Sequence, residues 1–406
     1  MNQQNGQSFV SFKRFCTICT WHCTNQVSYR VIVGLVLGDA WFSEFFSSAG
    51  PVIRTEHMNI LLPCDRDLFQ AANARDWMQL MKLRPEKPLS PIVLCPGGNR
   101  LPVLRGPVDP YAMYGVLFSI LLNVLEKLCC LLPSTEPSEV LQHQCIPWKM
   151  YAAQSSTGAA TSLVARVIET YGRVLQDMSP HCIVIWHYTV IKLTADKYIL
   201  ECAAGREGAN PANQALEAIR AWSQTPSARR ACLHAAQIFK ALSNRRPQDA
   251  TSFLSIPSLF LAALVLALYL LAAPSPFGSQ DVPDVFELIS DIDWNEVGDE
   301  GLVENHAGSD TNTATSVSAA RKFIRFGGLV SINSVIYSGG VQNAQRILLE
   351  FACLLDDIPK FKIGEHLRIM YQVINFLSEG GATGYFSLTD DIANLPVNSF
   401  YGILSY

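Results

Sequence analysis

Cys16, Cys19, His22 and Cys23 stand close together in the run CTICTWHC. Two thiolates at Cys-x-x-Cys spacing can reach one tetrahedral zinc ion, so this run offers half of a zinc site. The other half is not nearby. A six-cysteine binuclear cluster needs further cysteines at once, and the next is Cys64. A two-Cys, two-His finger needs a histidine pair about a dozen residues on, and the next histidine is His57. Without a closed four-ligand set the run is expected to hold no metal.

Nucleophilic chemistry is no better supplied. No Gly-x-Ser-x-Gly elbow occurs. His187 and His234 sit inside apolar helical runs, where a hydrogen-bonded core or rim histidine is the expectation. Gly205-Arg206-Glu207-Gly208 lacks the Gly-x-x-x-x-Gly-Lys pattern of a phosphate loop. It reads instead as a helix-ending turn, with glycine supplying positive φ. Asp356-Asp357 has no calcium-loop spacing around it. The expectation is therefore an absence of catalytic, cofactor-binding and metal residues in this chain, and a protein that is not an enzyme.

The elements that would position such residues are helices almost throughout. Leu163, Val164, Val167, Ile168, Tyr171, Val174 and Leu175 share one face of a helix that Thr161 or Ser162 would cap. Leu216, Ile219 and Trp222 form a second stripe. Cys232, Ala235, Ile238, Phe239 and Leu242 form a third, with Arg230, Gln237 and Lys240 assigned to the solvent side. Val341, Ala344, Leu348, Phe351 and Leu355 repeat the pattern, as do Ile363, Leu367, Met370, Ile374 and Leu377. Alternating strand patterns are scarce, so the fold class is all-α, a large irregular helical domain. Residues 82–110 carry seven prolines and read as a long connection. Residues 133–160 read as another, and 305–318 as a disordered stretch.

The 406 residues allow a sizeable core; 49% are hydrophobic, 16% are charged and the net charge is −4. That balance gives no basic field for a polyanion. Twelve irregularly spaced cysteines, several inside apolar runs, read as free thiols of a reducing compartment. Two runs, 111–125 and 259–273, are apolar enough to invite a membrane reading. The second counts only 15 residues between Pro257 and Pro274, short of the roughly 20 that span hydrocarbon. Both read as buried core helices, with Pro110 and Pro257 near their first turns. No Lys or Arg occurs between Arg246 and Arg321. Within that gap, residues 281–304 alternate acids with Val285, Phe286, Leu288, Ile289, Ile292 and Trp294. Such mixing is the composition of activation segments that dock into coregulator grooves. The alternative, given more weight, packs Phe286 and Trp294 back on the domain.

Several blocks, in order, resemble the regulatory domain (middle homology region) of fungal zinc-cluster and zinc-finger transcription factors. They are RVIVGLVLGDAWFSEF from Arg30, with Asp39 and Ser43; HMNILLPCDRDLFQAANARDW, from His57 to Trp77; Trp186 to Gly208; Ala228 to Leu242; and Ser255 to Leu271. The resemblance covers roughly residues 20–380. It implies a nuclear regulator of transcription, in some members governing metabolic or secondary-metabolite gene clusters. It divides the chain into a non-family segment 1–20, a core 21–280, an acidic, partly disordered segment 281–320, and a C-terminal helical part 321–406 packing on the same domain. In that family zinc and DNA contact belong to an N-terminal module. The sequence enters partway into the regulatory domain, so a truncated form is expected, with no zinc and no direct DNA contact here. Partners implied are the transcription machinery or coregulators through 281–304, a small-molecule effector, and a second copy in a homodimer, with no membrane. Two rival readings stand beside this: a helical membrane-associated protein anchored by 111–132 and 259–273, and a helical enzyme built on buried polar residues around a deep pocket.

Overall fold

The computed structural model describes residues 25–44, 50–83, 92–94, 100–102, 109–131, 145–149, 159–176, 178–246, 252, 254–273, 285–303 and 318–357. The Cys16–Cys23 run, the stretch 304–317 and the apolar pattern at 363–377 lie outside these residues. The described fold is all-α in class. It divides into two compact units, residues 1–126 and 127–406, a boundary that falls inside the stretch 21–280.

In the first unit, residues 25–44 are helical (α1). After it come β1 (Met58–Ile60), α2 (Arg66–Phe69), α3 (Ala74–Leu83), β2 (Ile92–Leu94) and α4 (Pro110–Leu131). β1 and β2 pair antiparallel, Met58 with Leu94 and Ile60 with Ile92, so the proline-rich connection holds a short strand. α1 buries Val33, Val36 and Ala40. Close packing of α4 on it needs Gly115, where a Cβ would stand 3.1 Å from Val33. Arg30 of α1 stacks over Phe69 and Tyr111, at 4.2 and 5.0 Å, and donates to the Cys64 carbonyl. Asp39 accepts from the backbone N–H groups of Val52 and Ile53. The two polar residues that interrupt α4 are both buried and both bonded. Ser119 donates to the Gly115 carbonyl, and Asn123 donates to Thr55, whose hydroxyl donates in turn to Glu126.

The second unit is built on α5 (Ala159–Gln176), α6 (Pro180–Thr194), α7 (Lys197–Ala203), α8 (Ala209–Ser223), α9 (Pro226–Ser243) and α10 (Ser255–Ala272). There follow β3 (Val285–Glu287), α11 (Trp294–Val297), α12 (Ala319–Phe326), β4 (Leu329–Ile332), β5 (Val335–Tyr337) and α13 (Val341–Asp356). α9 is the central element: it packs on α6, on α10 and on α12, while α10 packs also on α13. Its start is well defined. Thr225 accepts from the Ala228 N–H and Pro226 takes the first position, where its missing donor costs nothing. α7 is capped in the same way by Asp196, which accepts from Tyr198 and Ile199. Between α7 and α8 the Gly-Arg-Glu-Gly sequence makes the expected turn, with φ of +93° at Gly205 and +92° at Gly208.

Three expectations are corrected. Thr161 and Ser162 lie inside α5, which is already helical at Ala159, so neither caps it. Arg230 and Gln237 are buried rather than on the solvent side. A small sheet completes the fold: β3 runs parallel to β4, and β4 pairs antiparallel with β5. Asn333 and Ser334, with φ of +51° and +63°, form its two-residue hairpin turn. The Glu287 carboxylate ties that turn to β3 by accepting from Ser331 Oγ and from the N–H groups of Asn333 and Ser334.

α10 is longer than the apolar run suggested, at 18 residues. It and residues 110–129 of α4 are long and apolar enough to cross a membrane. Every side chain of α10 from Ser255 to Leu270 is buried against protein. Such a helix contributes through close packing. Leu264→Ala is expected to cost about 2–5 kcal/mol by leaving a cavity, read as a lower urea midpoint with an unchanged slope.

Candidate functional site

One face of α9 carries Ser227, Arg230, His234, Gln237 and Lys240, spaced three and four residues apart, so they form one stripe along the helix. On an isolated helix this is a solvated face. Here it meets the acidic segment 285–303, which runs antiparallel to α9. Ser227 Oγ donates to the Gly301 carbonyl at 2.7 Å. One Arg230 nitrogen, Nη1, donates to the carbonyls of Gly298 and Glu300 at 2.8 and 2.6 Å. Gln237 Nε2 donates to those of Leu288 and Ser290 at 3.0 and 2.9 Å. Lys240 forms an ion pair with Asp291 at 2.6 Å. The segment has little regular structure, so these carbonyls have few backbone donors, and α9 supplies side-chain donors instead.

The fit is close. Gly301 has φ of +81°, and a Cβ there would lie 2.9 Å from the Pro226 carbonyl oxygen, so both conformation and space require glycine. Ile292, Trp294 and Val297 point inward and are buried, whereas Asp291, Asp293, Glu296 and Asp299 are exposed. Phe286 stacks on Phe323 at 5.1 Å. For residues 285–303 the packed alternative is therefore the arrangement observed. Its surface is a row of carboxylates.

Arg229, the neighbour of Arg230, holds the next segment. Nε and Nη2 donate to the carbonyls of Ile324 and Arg325, at the C-terminal end of α12, at 2.7 and 2.9 Å. A guanidinium suits this position because unsatisfied carbonyls concentrate at a helix C-terminus. Glu300, almost fully buried, connects the two arrangements. Its carbonyl accepts from Arg230, and its carboxylate accepts from Arg321 and Arg325 of α12 at 3.2 and 2.8 Å. Burial pushes the Arg230 guanidinium down to about 10, still cationic at neutral pH.

At the middle of the stripe, His234 meets His187 of α6, with the two Nδ1 atoms 2.8 Å apart. Both rings are buried, as their apolar sequence context implied. The contact needs one ring to donate and the other to accept, so the accepting ring is neutral and the two differ in protonation at Nδ1. Trp294 stacks on His234 at 4.2 Å with 20° between the planes. Burial, then the Arg230 and Lys240 charges, lower His187 to about 3. Burial, with His187 and Arg230, holds His234 well below the usual range. A group this far from titrating at neutral pH is a poor general base. Nε2 of His234, Nε1 of Trp186, and Nε and Nη2 of Arg230 find no hydrogen-bond partner among the described residues. Each such group offsets about 1–3 kcal/mol of what the stripe contributes.

Among the described residues no group of three or more His, Cys, Asp or Glu side chains could hold a metal ion. Cys64, Cys145, Cys202, Cys232 and Cys353 carry free thiols, and burial pushes Cys64 and Cys202 up to about 11, out of the reactive range. Asp356-Asp357 sits at the C-terminal end of α13. No known family, no curated protein and no solved structure matches this chain. The α9 stripe was missed at the sequence level. Its available signal was two adjacent arginines in a helix whose other face is wholly apolar.

Two outcomes follow. A histidine whose folded pKa is lowered contributes its full stability above the unfolded value near 6.5 and loses it as pH falls toward the folded value. Unfolding free energy is therefore expected to drop below pH 6.5 by roughly 1.4 kcal/mol per pH unit for each histidine, with the His187→Gln variant showing about half of that histidine-dependent slope. Hydrogen exchange separates the arginines. Arg230→Met is expected to accelerate exchange at 294–302, and Arg229→Met at 319–326, each by more than about tenfold, the size of a 1.4 kcal/mol loss.

Proposed function

We propose that this protein is a regulator of transcription of the fungal type, acting in the nucleus as a non-catalytic helical scaffold that presents its acidic segment to coregulators or the transcription machinery. The reading rests on the resemblance of the ordered blocks. The observation that carries it beyond resemblance is the α9 stripe. Two of those blocks, Trp186–Gly208 and Ala228–Leu242, contribute to α6, α7 and α9, and Ser227, Arg230 and Gln237 of α9 are committed to holding residues 288–301. The groups best suited to chemistry, His187, His234 and Arg230, are buried and occupied with structure.

The held segment faces outward as a row of carboxylates at Asp291, Asp293, Glu296 and Asp299. Such a surface suits a basic protein partner and repels nucleic acid phosphates. The proposed division of labour is that the buried apolar residues and the α9 donors fix the segment, Asp291 included through Lys240, while Asp293, Glu296 and Asp299 recognise the partner. A small-molecule effector and a role for zinc in this chain are not needed for that work.

The test joins the full chain to a heterologous DNA-binding module upstream of a reporter gene. The expected result is a severalfold change in reporter output relative to the module alone. Replacing Asp293, Glu296 and Asp299 by Asn, Gln and Asn together should remove most of that change without altering expression level. A fusion that behaves like the module alone would sink the proposal, as would tight sequence-specific DNA binding by the purified chain at physiological salt.

A further inference from the structure

The contact between His187 and His234 has a floor and a roof of different kinds. The floor is helical: His187 lies on α6 and His234 on α9, and these two helices pack together. The roof is Trp294, stacked on His234 at 4.2 Å and 5.3 Å from His187. Trp294 belongs to the segment 288–301, which α9 holds by side-chain donors and an ion pair, not by a backbone ladder. Those bonds are separate from the packing of α6 on α9.

The geometry limits the protons that the pair can carry. One ring donates from Nδ1 and the other accepts there, across 2.8 Å. A first added proton can go to Nε2 of the donating ring and leave the contact whole. A second puts a hydrogen on both Nδ1 atoms, and two donors then face each other. Charge opposes even the first. The cations that act on the pair are Arg230 and Lys240 of α9. Asp299 and Glu300 act on Arg230, and Asp291 is paired with Lys240. The other elements packed here supply no relief. Lys192 of α6 acts on Asp196, α10 is uncharged, and Arg166, Glu169 and Arg173 of α5 are exposed. Arg321 and Arg325 of α12 are taken up by Glu300, and Arg346 and Glu350 of α13 pair with each other. Among the described residues no carboxylate bonds to either ring.

We infer that His187 and His234 form an acid-operated catch: on taking up protons they release residues 288–301 from α9, while α6, α9 and α10 stay folded. Uncovered, the two rings titrate near 6.5; covered, both are held lower, by burial first. Closure is therefore fully favoured above pH 6.5 and weakens as pH falls below it, by about tenfold per pH unit for each ring and about a hundredfold for both. Release frees the apolar side chains Ile292, Trp294 and Val297, which the closed form buries. It is a local opening, cheaper than unfolding the helices beneath. The inference does not depend on the transcriptional reading.

The experiment is hydrogen exchange of the full chain from about pH 7 to about pH 5, corrected for the intrinsic exchange rate. This window lies above the ordinary carboxylate range, so the acids of the segment do not contribute. The amides of Val297, Gly298 and Glu300, bonded within the segment, report its release. Their opening constant is expected to rise roughly 600-fold across the window, as two groups titrating near 6.5 require. The central amides of α6, α9 and α10 are expected to stay at least about tenfold better protected throughout. His187→Gln leaves one titrating ring and should cut the rise to about 25-fold. Segment amides that rise less than about threefold, or that exchange together with the helices at both ends of the window, would overturn the inference. So would a His187→Gln chain with the full rise. The wild-type comparison of segment with helices decides the matter even where the variant does not fold.

Discussion

The second unit depends on one constraint: the backbone carbonyls of an irregular segment must be satisfied inside a helical protein. Residues 288–301 are covered by the domain but contain only one short helix. Unpaired carbonyls there would each cost about 1–3 kcal/mol. α9 meets the requirement with side chains of graded length: Ser227 at its N-terminal end, Arg230 in the next turn, then Gln237, while Lys240 pairs with the Asp291 carboxylate. The apolar residues of the segment then fall into place beside α9, with Trp294 against the His187–His234 pair. Because α9 also packs on α6, α10 and α12, the acidic segment is tied to the centre of the unit and not to its rim.

This explains why so many charges are buried at one place. Taking a guanidinium out of water is costly, and a carboxylate partner would add a second desolvation cost. Arg229 and Arg230 donate instead to neutral carbonyls, three for Arg229 and two for Arg230, while Asp299 and Glu300 partly offset the Arg230 charge. The buried carboxylate beside them, Glu300, is shared between Arg321 and Arg325. Burial first, and then the nearby positive charge of Arg230, keeps both histidines neutral, so that one ring can accept the hydrogen bond the other donates. Charge, tautomer and packing at this point are one arrangement.

In the first unit the same economy of charge acts in the opposite direction. Arg30 and Asp39 face inward, and the outer side of α1 is left neutral and apolar. Buried polar groups there link the segment after α1 to α4, through Asn123, Thr55 and Glu126. The two units thus share a design in which polar side chains fix irregular backbone, and regular helices provide the apolar mass.

The sequence by itself determined the helical class and most helix faces, because burial follows the 3.6-residue period wherever a helix lies on a core: Leu163 to Leu175, Cys232 to Leu242 and Ala344 to Leu355 all bury the faces their spacing marked. The Gly205–Gly208 turn and the core placement of His187 and His234 were legible for the same local reasons. The small sheet was harder to read, since strands of three and four residues carry too little pattern to stand out. Only the tertiary structure decided what the polar stripe of α9 faces. Period marks a polar face and an apolar face, but it cannot tell solvent from a backbone carbonyl, as both accept a hydrogen bond. Arg230 and Gln237 look the same in sequence whether water or residues 288–301 lie beyond them. That choice is made by a segment about 50–70 residues further along the chain, and no local signal reports it.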